Sequence, residues 1–87
     1  MGRAQKGQRE REIHRLTGGL VRDLRRSRGL SLDHLASLAD IDRSYLARIE
    51  RGDAGATGET LERLANELGM TLAAFYAAAL TREGHRG

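Results

Sequence analysis

A chain of 87 residues has room for one domain, and at this size only about 60% of the unfolded surface becomes buried. The absence of cysteine excludes a disulfide framework and a thiolate metal site, and the longest apolar run, the nine residues Leu72 to Leu80, is far short of the ~20 of a membrane span. The net charge of +3 is uneven: residues 1–30 hold nine Lys/Arg against three acids and residues 31–87 hold six against nine, so a basic arm on a near-neutral body suits a polyanionic partner.

Proline is absent, and Leu, Ala, Arg and Glu far outnumber β-branched and aromatic residues, so the whole chain favours helix. The expected class is all-α with five helices and short joins. Residues 1–8 carry Gly, Gln and basic side chains without apolar periodicity and are read as a flexible basic arm. The folded domain is expected over 9–81, its first helix starting between Arg9 and Gly18, weakened by Gly18-Gly19 and ending at Gly29. Ser31 caps a second helix, with Asp33 in its first turn and Leu32, Leu35, Ala36 and Ala39 as its buried face. Asp40-Ile41-Asp42 interrupts that helix: Asp40 suits a left-handed turn, Ile41 pegs the turn to the core, and Asp42 caps the next helix. The third helix spans Arg43 to Arg51 and stops at Gly52. Thr57 caps a fourth helix with the stripe Leu61, Leu64, Ala65 and Leu68, closed by Gly69. Thr71 caps a fifth through about Thr81, and 82–87 is read as a disordered tail.

At about 100° per residue, Leu46 and Ile49 of the third helix fall on one side with Tyr45 beside them. Arg43, Ser44, Ala47, Arg48 and Arg51 fill the opposite arc. Such a face fits a DNA major groove. Arginine can grip a guanine edge or a phosphate with two hydrogen bonds, serine serves either, and the Ala47 methyl permits close approach or meets a thymine methyl.

The run GLSLDHLASLADIDRSYLARIERG, Gly29 to Gly52, resembles the helix-turn-helix of the Cro and lambda-repressor-like family, and Thr57 to Phe75 resembles that family's following helices. The resemblance covers about Gly18 to Tyr76. It implies a five-helix, lambda-repressor-like fold and sequence-specific binding of double-stranded DNA. Residue by residue, it implies base reading by Arg43, Ser44 and Arg48 with Asp42 close by, and phosphate contacts from Ser31, Leu32, Arg51, Ala56 and Thr57. It also implies a structural ion pair between Arg25 and Glu50. The sequence departs from the family pattern at Leu32, where many members carry glutamine, and at Asp40, where a turn glycine is usual. It departs again at Asp42, which replaces a Ser/Thr cap. The Asp-Arg-Ser-Tyr start of the third helix and the small size look like the controller proteins of restriction–modification systems, though phage repressors and other short regulators share most of it.

The fifth helix is apolar nearly all round, so a partner is expected on one side. Phe75 is read as packing inward, and Tyr76, Ala79 and Leu80 as a two-fold interface between copies. A homodimer would place two recognition helices about 34 Å apart on a pseudo-palindromic operator. Catalysis finds no support: the histidines His14, His34 and His85 are scattered without ligand spacing or a nucleophile partner, and no phosphate-binding glycine motif is present. No metal, cofactor, membrane or small-molecule substrate is expected, and with no apolar signal core at the N-terminus the cytoplasm, at the nucleoid, is the expected location. The competing reading is a protein-interaction module on the same fold, suggested by the acids Asp40 and Asp42.

Overall fold

The computed structural model describes residues 2–82, with side chains from residue 7 onward. Among these are five helices and no strand: α1 (Gly2–Ser27), α2 (Leu32–Ala39), α3 (Arg43–Arg51), α4 (Gly58–Glu67) and α5 (Leu72–Thr81).

Each helix end has a local cause. The side-chain oxygens of Ser31, Thr57 and Thr71 accept hydrogen bonds from the backbone N–H groups of His34, Thr60 and Ala74, satisfying donors the first turn leaves open. Asp42 holds the corresponding place before α3 but its carboxylate makes no capping bond. The C-terminal ends repeat one device. Gly29, Asp40, Gly52 and Gly69 stand in the left-handed conformation, and the two N–H groups that follow each helix reach back to its last free carbonyls. After α1 these bonds are Gly29 N–H to Arg26 (3.0 Å) and Leu30 N–H to Arg25 (3.1 Å); after α2, Asp40 to Ser37 (3.2 Å) and Ile41 to Ala36 (3.0 Å). Asp40, with φ 59°, is the one non-glycine among them, a conformation that aspartate tolerates better than most residues.

The core draws on every helix: Leu20 and Val21 from α1, Leu35, Ala36 and Ala39 from α2, and Leu46 and Ile49 from α3. Leu61, Leu64 and Ala65 of α4, Leu68 just beyond it, and Phe75 and Ala79 of α5 complete it. α1 packs on α3 and α5, α2 on α3 and α4, and α4 on α5. Ile41 packs partly buried against this core from the turn between α2 and α3.

α1 departs from the sequence expectation. It is continuous from Gly2, with no break near residue 8 or 9, so its start between Arg9 and Gly18 is corrected. Arg, Gln, Lys and Glu between residues 3 and 15 are good helix formers. Its 26 residues span about 39 Å at 1.5 Å each, close to the molecule's 41 Å long axis. Among the residues whose side chains are described, full burial begins only at Leu16, and Gln8 to Arg11 are exposed. Gly18-Gly19 does not interrupt the helix because Gly18 is a packing residue: a Cβ there would lie 1.9 Å from the Ile49 carbonyl oxygen. At the other end Arg82 is tied to Asp23 of α1 at 2.8 Å, so it belongs to the folded body rather than to a loose tail. The rest of that expected tail, 83–87, lies outside the described residues. No described helix is long and apolar enough to cross a membrane.

Candidate nucleic-acid interface

The buried side of α3 is formed by Leu46, Ile49 and Glu50, whose relative exposures are 0%, 1% and 7%. A carboxylate that deep needs a counter-charge, and Arg25 of α1 supplies it. Arg25 Nε donates to Glu50 Oε2 at 2.8 Å and Arg25 Nη2 to Oε1 at 3.0 Å, while Nη1 donates to the Leu30 carbonyl at 2.9 Å. One guanidinium thus locks the orientation of α3 and the start of the α2 segment together. The bonds to Glu50 raise the Arg25 pKa above its ordinary value, against the opposing effect of burial, so the cation persists through the physiological range.

With that side fixed, the opposite side of α3 faces solvent. Asp42, Arg43, Ser44, Arg48 and Arg51 are exposed and Ala47 is half-buried among them. Arg43 meets Asp33 of α2 with Nε 2.8 Å from Oδ1, both side chains well exposed. Arg51 meets Asp53 at 3.0 Å. Arg48 is exposed and has no ion-pair partner among the described residues.

The loop from Asp53 to Thr57 is clamped from both sides. The Tyr45 hydroxyl donates to the Gly55 carbonyl at 3.3 Å. From α1, His14 lies so close that a Cβ on Gly55 would come within 2.4 Å of its Nε2, and a Cβ on Gly52 would come within 3.0 Å of the Arg15 Cα. The loop so held presents Thr57 exposed and Ala56 half-buried against the core. The Thr57 hydroxyl donates to the Thr60 side chain at 3.0 Å while accepting from the Thr60 N–H.

The remaining expected residues separate. Ser31 is exposed with its oxygen engaged by His34 N–H. Leu32 packs partly buried against the core, so its side chain is turned to the body of the protein. On α5, Leu80 is 51% exposed and Tyr76 half-buried with its ring edge-on to Phe75. Ala79 is 0% exposed, filled in between Phe75 and the other core residues, so its expected place in an interface is corrected: a residue sealed in its own core has no surface to offer a partner. Sequence reasoning assigned Tyr45 only to the flank of the core and Asp33 only to the first turn of α2, and gave His14 no role. All three act across gaps in sequence that carry no local signal. Among the described residues no group of three or more His, Asp or Glu side chains is arranged to hold a metal ion.

The same fold, and in part the same sequence, is found in known proteins. The helix-turn-helix family model HTH_3 matches residues 21–75. The HTH-type transcriptional regulator DdrOP3 of Deinococcus deserti is 42% identical over 52 residues, which is 60% of this chain and 40% of that protein. The chain thus spans about two-fifths of that relative's length. The clp gene regulator ClgR from Corynebacterium glutamicum superposes with a TM-score of 0.79 over 85% of this chain and 79% of its own, at 24% identity, a likeness of fold alone. An HTH_3 family transcriptional regulator from Vibrio cholerae gives a TM-score of 0.71 at 35% identity, over 78% of this chain and 38% of its own. With its family match extending over more than half the sequence, this all-α, lambda-repressor-like chain belongs to the HTH_3 helix-turn-helix family.

Proposed function

We propose that the protein is a sequence-specific regulator of transcription that binds double-stranded DNA, a dimeric repressor or autoregulator acting at the nucleoid. The observation that carries this reading is the two-sidedness of α3. Its inner face is buried and pinned by Arg25 to Glu50, and its outer face offers Asp42, Arg43, Ser44, Ala47 and Arg48 together. A helix of this kind enters a major groove with its N-terminal residues at the base edges. In this reading Arg48 makes a bidentate contact, and Ser44 bonds a base or phosphate. Ser31, the Leu32 N–H, Arg51, Ala56 and Thr57 surround it as the phosphate contacts that fix register but carry no sequence information. Asp40 has a local explanation in the left-handed turn, so it does not require a protein partner.

The test is fluorescence anisotropy with the gene's own upstream DNA and a scrambled duplex across a range of salt. The expected result is tight binding to the first, with Arg43→Ala and Arg48→Ala each costing ~1–3 kcal/mol. Absence of binding to either duplex at low salt would discard the reading in favour of a protein-interaction module.

A further inference from the structure

The ion pair between Arg43 and Asp33 links the first residue of α3 to the first turn of α2, and so ties together the N-terminal ends of the two helices. It cannot be there chiefly for stability. Its side chains are 63% and 75% exposed, and ion pairs that open to water contribute little. An acid in the first turn of α2 is itself favourable to that helix, but this does not account for the direction in which Arg43 is drawn.

We propose that Asp33 is a specificity-determining positioning residue, which aims Arg43 at a guanine and penalises binding of DNA through phosphates alone. This rests on the DNA-binding reading above. The chemistry derives from the shape of the guanidinium. Its carboxylate contact is at Nε, 2.8 Å away, on the side edge of the planar group. The end edge, which offers one hydrogen from each terminal nitrogen, matches the O6 and N7 acceptors of guanine in the major groove. An arginine without such a hold loses the freedom of several rotatable bonds on binding, and is as ready to meet a phosphate as a base. Held from one side, it is presented in fewer orientations. The carboxylate adds a second effect. Helix N-termini carry partial positive charge and attract phosphate, and here side chains from the first turns of two helices meet. A negative group at that junction opposes phosphate approach, so the cost falls on every sequence and is offset only where Arg43 finds its guanine.

The experiment selects binding sites from a random duplex pool with the unaltered protein and with Asp33→Asn, then measures affinities for the selected site, its single-base variants and a scrambled duplex. The unaltered protein is expected to select a site with a guanine in each half. Asp33→Asn should lower discrimination at that one position by about 5–20-fold while leaving the other positions unchanged. It should also tighten binding to the scrambled duplex and steepen its salt dependence by about one phosphate contact. In an Arg43→Ala background Asp33→Asn should no longer alter base discrimination, because there is nothing left to aim. The melting temperature of Asp33→Asn checks that the fold is intact. If Asp33→Asn selects the same site with the same discrimination at every position, the positioning role is overturned while the DNA-binding reading stands. If the unaltered protein selects no sequence at all, both are overturned.

Discussion

Glu50 shows how a single residue fixes which side of α3 faces solvent. A carboxylate 7% exposed is tolerated because Arg25 meets both its oxygens, and the same guanidinium satisfies the Leu30 carbonyl. Removing one member of a buried pair leaves an uncompensated charge, which typically costs about 3–5 kcal/mol. Glu50→Ala is therefore expected to lose about 3 kcal/mol in urea unfolding. A paired replacement, Arg25→Met with Glu50→Leu, should recover part of that loss but not all, because the Leu30 carbonyl then has no donor. The pair's pH dependence has a definite sign. A raised arginine pKa means that its contribution is fully present below arginine's ordinary range and is lost only as the pH climbs through the raised value.

At the scale of the elements, α1 and α3 are held closer than ordinary helices by Gly18. A Cβ at that position would lie 1.9 Å from the Ile49 oxygen, and the atoms it meets are backbone, which cannot swing aside. Its neighbour Gly19 faces only the tip of Arg82, at 3.4 Å. The two glycines, adjacent and both buried, should thus respond in opposite directions. Gly18→Ala is expected to destabilise by about 2–3 kcal/mol as α1 is levered off α3. Gly19→Ala is expected to stabilise by up to about 1 kcal/mol through helix propensity. Thermal unfolding of the two variants measures both, and equal effects would show that the close approach of α1 to α3 is not what limits this position.

For the whole molecule, the question is what α5 does with its outer side. Phe75 and Ala79 are spent on the core, while Leu80 is 51% exposed and Tyr76 half-buried. The proposed two-fold interface is therefore built on Tyr76 and Leu80, without Ala79. Leu80→Glu would place a charge on that face in both copies and is expected to yield a monomer by sedimentation at micromolar concentration. Its helicity should be unchanged, and its binding to a two-half-site operator should be weaker and no longer cooperative. Unchanged sedimentation of the unaltered protein as a monomer would instead remove the dimer from the proposed function.

The sequence alone determined the elements and most of their ends, because these depend on neighbours in the chain. The period of Leu35-Ala36-Ala39 or Leu61-Leu64-Leu68, the hydroxyl caps at Ser31, Thr57 and Thr71, and the residues that accept a left-handed turn are all local. So is the division of α3 into an apolar and an arginine face, which comes from helix geometry once its bounds are read. The continuous start of α1 was hidden because a polar stretch carries no apolar period. Other features were decided only when distant segments met. Gly18 is a packing residue because Ile49 comes to it, the loop after α3 is fixed by Tyr45 and His14, and Ala79 is sealed by the core. Arg43 is drawn toward Asp33 across the turn between their helices. Periodicity gives the face of a helix, but which neighbour covers that face, and how closely, is set by tertiary packing.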